Sequence, residues 1–284
     1  MTPLGLLHPV LKLHFFRYLL VYPILYLSDT LSLQHQLGFG LTVCVMFHYT
    51  CRNLLKTSQE IVGKTLSANN VLLIVVPTLA LFLSMNGRIS FAFLGFSVIF
   101  FTIVKQKKSP IKFFNLISKI SFGLLLTSVS TGAMSLSVIF LLGVAFGTLK
   151  STFKKNGIWK RDLGLRLANP LILLAFFPLF VMSINKNLEF FGSGIQSLIN
   201  MTSHGLGLYL GLDALSPNAL IICLVILTPP TLFALLLANY RGLPLPIFGL
   251  FVTICCGLFG LSTLTLAYIP LVTILITRSL YFRI

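Results

Sequence analysis

Acidic side chains are almost missing from this chain: Asp29, Glu60, Asp162, Glu189 and Asp213 are all that 284 residues contain. No two of them stand three or four residues apart, so no helix face carries the paired carboxylates that hold Mg²⁺ in metal-assisted diphosphate chemistry. Charge of either sign is scarce, at 9% of residues, against roughly 25% in a soluble globular domain. Tryptophan occurs once. The five cysteines, Cys44, Cys51, Cys223, Cys255 and Cys256, form no CxxC pair and read as small buried residues rather than a disulfide or zinc framework. His8, His14, His35, His48 and His204 are scattered with no HExxH spacing, which leaves metal ligands none. A phosphate-cradling GxxxxGK[ST] and a nucleophile elbow are also missing, which removes the usual nucleotide and hydrolase signatures.

What remains is mostly apolar. Hydrophobic residues make up 56% of the chain, with a mean hydropathy of +0.98. Such a composition predicts an all-α, polytopic transmembrane helical bundle, a single integral membrane domain over 1–284. Breaks between apolar runs place spans at about Phe15–Leu27, Leu37–Tyr49, Val71–Met85, Ile89–Val104, Phe113–Ser130, Met134–Leu149 and Pro170–Ile184. The first run continues past any small-residue cleavage site, so it reads as a span with an amphipathic lead-in rather than a removable signal. Beyond Ile184 the pattern is harder to divide. Gly192 and Gly194 break it, Asn218–Ala238 reads as a span kinked at Pro229-Pro230, and Pro246–Thr277 exceeds one crossing of about 20 residues. The total is about nine spans, within eight to ten.

The net charge of +16 comes from 21 Lys and Arg. A nucleic-acid module would need a polar domain to present such charge, and none is present, so no nucleic-acid partner is expected. The cations gather instead in alternate gaps. Arg52, Lys56 and Lys64 lie in 51–70; Lys105, Lys107, Lys108 and Lys112 in 105–112; Lys150, Lys154, Lys155, Lys160, Arg161 and Arg166 in 150–167. The intervening gaps carry at most Arg88 or Lys186. That alternation is the positive-inside pattern, and it puts the N-terminus and the three basic loops in the cytoplasm, at a bacterial inner membrane or an organellar one.

Polar groups inside a membrane are costly and so become candidates for function. Lys119 lies near the start of the fifth span and can snorkel to the cytoplasmic side. His204 and Asp213 sit beside Gly-rich backbone, where ion or proton sites occur, although a surface loop needs the same residues. The 26 Phe residues would serve lipid contact, packing or a tunnel for a lipid chain.

Three fragments then carry a family likeness: VGKTLSANNVLLIVV before the third span, KSPIKFFNLISKISFGLLLTSVSTGAMS through the fifth and into the sixth, and KKNGIWKRDLGLRLA entering the seventh. In layout and in these fragments, over about two thirds of its length, the chain resembles the UbiA-type intramembrane prenyltransferases. That resemblance implies an all-helical enzyme of about nine spans, with functional cytoplasmic loops after the second and sixth, acting on a prenyl diphosphate with Mg²⁺. Where the family carries Asp-rich motifs, this chain reads HYTCRNLLKTSQE and LKSTFKKNGIWKRD, so no metal-binding aspartate has a counterpart and no cofactor is evident. Arg52, Lys56, Lys64, Lys150, Lys154 and Lys155 are left to face a phosphate or headgroup directly. Three readings stay open. The chain acts on or binds a polyprenyl or other phospho-lipid, with membrane lipids and an isoprenoid phosphate or diphosphate as partners; it is a carrier or lipid flippase; or it is a non-catalytic subunit of a membrane complex.

Overall fold

The computed structural model describes residues 21–62, 65–84, 87–109, 111–152, 159–192, 194–209 and 212–222. Helix dominates these residues and no strand occurs among them, so the fold is all-α. Helical residues 21–30 (α1) lead into α2 (His35–Val62), α3 (Ala68–Ser84), α4 (Gly87–Lys108), α5 (Phe113–Thr127), α6 (Thr131–Thr152), α7 (Trp159–Phe191) and α8 (Gly194–Tyr209). Residues 217–222 are helical again. Lys64, Lys154, Lys155, Pro229, Pro230 and the predicted run from Pro246 lie outside the described residues, as do residues 15–20 of the first predicted span.

Helix α4 is the axis of the bundle. It packs against α2, α5, α6 and α7, and Phe93, Phe96, Ile99, Phe100 and Ile103 are wholly buried on different sides of it. Its Ile89–Gln106 stretch is long and apolar enough to cross a membrane, and it alone passes that test among the described residues. Helices α2 and α3 run antiparallel beside it. Phe47 meets Phe82 with ring centroids 5.6 Å apart, and one turn on, Cys51 stands beside Thr78. Phe82 in turn meets Phe93 at 5.6 Å, and Asn53 Nδ2 donates to Ser97 Oγ at 3.1 Å. These contacts set α2 parallel to α4, with Arg52 near the level of Phe96 and Lys56 near that of Phe100.

On the other side α4 and α5 cross in van der Waals contact of their backbones. A Cβ at Gly95 would lie 2.5 Å from the Gly123 carbonyl, and one at Gly123 would lie 2.5 Å from Ile99 Cγ1. Glycine is needed at both positions for this approach, as small residues are where helices pack by shape alone. The register also shows that α5 is short. With 15 residues it is about 22 Å long, whereas the 22 residues of α4 span about 33 Å. It therefore turns back opposite Gly95, about 12 Å before the level of Gly87.

The turn that follows, 128–130, is enclosed by protein. Thr127 and Val129 are buried, and so is every residue from Gly132 to Val138. Its hydroxyls bond the nearby backbone: Thr127 Oγ1 to Leu124 O, Ser128 Oγ to Leu125 O, Ser135 Oγ to Thr131 O and Ser137 Oγ to Ala133 O. A buried polar group without a partner costs about 1–3 kcal/mol, so these short local bonds are what make the enclosed turn tolerable.

Several helix limits differ from the sequence reading. Residues 51–62 continue α2, because Thr50, Thr57 and Ser58 face inward while Arg52, Lys56 and Gln59 face outward; the polar residues that read as a loop complete an amphipathic helix. Likewise α7 begins at Trp159, enclosing Lys160, Arg161 and Arg166, and carries Pro170 and Pro178 internally. The start of α4 at Gly87 and the turn before Thr131 fall where the apolar runs were interrupted.

Candidate functional site

Polarity in this molecule is distributed against the habit of soluble proteins. Leu72, Val76, Leu79 and Leu83 form an exposed apolar stripe on α3, and Leu167, Leu171 and Leu174 form another on α7. Inside lie Thr50, Thr57, Ser58, Thr78, Ser90, Ser97, Thr102 and Asn169, all essentially inaccessible. Most of the hydroxyls bond the carbonyl three or four residues back, as Thr57, Thr78 and Thr102 do. Thr50, Ser58, Ser90 and both amide atoms of Asn169 have no hydrogen-bond partner among the described residues. Contiguous exposed apolar surface of this kind marks an interaction surface or a membrane.

The α2 helix displays the change from apolar to basic along one face. Leu37, Leu41, Val45 and Tyr49 are exposed at successive turns, and Arg52, Lys56 and Gln59 continue the same face. His48 packs edge-on against Tyr49 with centroids 5.6 Å apart, which places two amphipathic rings at the junction. Because α4 runs parallel to α2 and α5 runs back beside it, the basic ends meet. Lys105 Nζ lies 5.8 Å over the Phe101 ring, and the connection is closed by Ile111 N–H donating to Gln106 Oε1 at 2.6 Å. Lys112 is the N-cap of α5 without a side-chain cap bond, and no acid occupies the first turn. The helix dipole there adds to the lysine charge instead of offsetting it.

Of the residues singled out by sequence, Arg52 and Lys56 stand one turn apart on this exposed face, and Lys119 is exposed on the second turn of α5. Lys150 is helical, in the last turn of α6. Arg52, Lys56, Lys105, Lys112 and Lys119 make no ion pair among the described residues; the acid-base contact found there joins His35 Nε2 to Asp29 Oδ1 at 2.6 Å in the α1–α2 turn. Glu60 is half-buried on α2, one turn beyond Lys56, and the two are not bridged.

His204 and Asp213 are brought together, but through the backbone of the latter. His204 Nδ1 donates to the Asp213 carbonyl at 3.0 Å, and its ring lies tilted by 47° against Phe191 with centroids 5.3 Å apart. Ser203 Oγ donates to Leu215 O and accepts from Leu215 N–H. The pair thus fastens the segment after α8 to that helix, a role that spacing alone did not indicate.

A protein-held Mg²⁺ needs converging oxygen ligands. Among the described residues no group of three His, Cys, Asp or Glu could hold a metal. Glu60 is by itself on α2, so the donors there do not fit the ion. No family model, curated protein or solved structure matches this chain.

Proposed function

We propose that the chain is a multi-pass membrane protein of about nine spans, of the UbiA-type prenyltransferase-like kind, that binds a polyprenyl or other phospho-lipid at its basic cytoplasmic end. The observation that supports this reading is the combination of outward apolar stripes and inward hydroxyls with Arg52, Lys56, Lys112 and Lys119, which have no counter-ion among the described residues. Cations without acids attract anionic headgroups, and Arg or Lys hydrogen bonds to phosphate are among the strong charge-assisted kind. A transfer reaction at this end would rest on the same cations stabilising a departing diphosphate, in place of a metal. The Lys150→Ala, Lys154→Ala, Lys155→Ala triple variant, with Arg52 and Lys56 retained, tests the reading. Lipid mass spectrometry of the purified wild type should recover an isoprenoid phosphate, and the variant should insert normally and lose it. Equal recovery from both, or none from the wild type, overturns the proposal.

One observation favours a carrier instead. Non-helical backbone within a membrane is tolerated where it is buried in protein or lines a water-filled path, and the enclosed α5–α6 turn meets that description. Substrate-dependent flux in liposomes reconstituted with the full chain would decide for the carrier.

A further inference from the structure

Resting on the membrane reading above, we propose that the outer face of α2 is a docking site for one anionic glycerophospholipid of the surrounding bilayer. Its phosphate would bridge Arg52 and Lys56, and an acyl chain would lie along Tyr49, Val45 and Leu41. Arg52 and Lys56 are exposed, stand at i and i+4, and therefore project from the same side of the helix. Neither has a hydrogen-bond or ion-pair partner among the described residues. No acid shares the face, because Asp29 is engaged with His35 in the α1–α2 turn and Glu60 makes no bridge to Lys56.

Depth agrees with a lipid headgroup. The contacts of Asn53 with Ser97 and of Phe82 with Phe47 and Phe93 set Lys56 opposite Phe100, below Lys105 at the basic end of α4. A charge left at that level without a counter-ion is costly, and long cationic side chains relieve the cost by reaching toward phosphate. From Tyr49 to Leu41 the stripe runs about 12 Å, close to the roughly 15 Å of one leaflet's hydrocarbon. His48 and Tyr49 sit between the two parts, where amphipathic rings are enriched at membrane interfaces. Gly40 opens this face further, since a Cβ there would meet nothing within 4 Å. Two cations one turn apart at the end of the stripe suit a bridging phosphate better than a single carboxylate on a neighbouring helix.

The test is titration of the purified full chain in detergent with phosphatidylglycerol and, separately, phosphatidylcholine, read by native mass spectrometry. Wild type should prefer phosphatidylglycerol by about tenfold or more, at about fivefold for each cation near a phosphate. Arg52→Gln with Lys56→Gln should abolish the preference, while the charge-conserving Arg52→Lys with Lys56→Arg and the off-face Lys112→Gln should keep it. An unchanged preference in the glutamine double variant overturns the site, as does an equal loss in Lys112→Gln, which would mean a diffuse basic end. An acidic protein that co-purifies with wild type and is lost from the glutamine variant also overturns it. The Lys150, Lys154 and Lys155 variant should retain phosphatidylglycerol, which separates this site from the isoprenoid phosphate. If the chain inserts in vesicles and Arg52 and Lys56 prove indifferent to the lipid, this inference falls alone; if it fails to insert, the functional reading falls with it.

Discussion

Two connections reverse the chain, one inside the protein and one outside it, and their polar groups are satisfied differently. At the α5–α6 turn every helix end is enclosed, and Thr127, Ser128 and Ser135 bond backbone carbonyls within four residues of themselves. At the α7–α8 corner Gly192 and Gly194 take φ of +113° and +71° with open space around them. There Asn200 Nδ2 reaches back nine residues to the Phe191 carbonyl at 3.1 Å. The buried turn satisfies Thr127, Ser128 and Ser135 with short local bonds because little water can reach what it leaves open. The exposed corner can use glycine and one longer clamp, since solvent takes the remaining groups.

The comparison is broken most severely at the seam that holds the buried turn in place. Gly95→Leu would drive a side chain into the Gly123 carbonyl and Leu126, at 2.5 and 2.7 Å for the Cβ alone. Neither backbone can give way without separating α4 from α5. The expected cost is about 3 kcal/mol or more, seen as loss of folded protein or a large fall in Tm in detergent. Gly40→Ala, into open space, should leave Tm unchanged or slightly raised.

How much of this was legible depended on what interrupts the apolar pattern. Asn86-Gly87-Arg88 and Thr131-Gly132 break long runs, and helix ends fall beside both. The Gly192 and Gly194 break was visible for the same reason. The length of α2 was not, because Arg52, Lys56 and Gln59 alternate with Thr57 and Ser58, and polarity of two kinds looks uniform until the helix separates them into faces. Nor could periodicity reveal that α5 stops opposite Gly95, since a run ending within the bundle reads like one ending at its edge. At the candidate site the cations were readable one by one. Their lack of acidic partners was implied by composition, but the use of His204 as a clamp on the Asp213 carbonyl depends on a chain reversal that no spacing encodes.

A smaller effect sharpens the contrast in accessibility. In a background with the native cysteines replaced, Ser130→Cys at the enclosed turn and Gln196→Cys at the exposed corner should react very differently with a water-soluble maleimide. Gln196 is exposed and Ser130 only partly accessible beside the buried Val129, so labelling in intact vesicles should be at least about tenfold slower at 130 from either side. Comparable rates would mean that 128–130 is an ordinary external loop.

The smallest effect belongs to the clamp. Asn200→Ala removes the hydrogen bond to Phe191 O at a site where water can replace it, so the loss should be about 1 kcal/mol or less. The change should stay local, because the corner is exposed and the Gln196 Nε2 bond to Asn200 Oδ1, at 3.1 Å, is also on the surface. Hydrogen exchange should quicken around 191–200 while the α5–α6 turn keeps its protection. A matching rise in exchange at 124–137 would show that the corner and the buried turn open together, and would make the two connections one cooperative unit rather than two separate solutions.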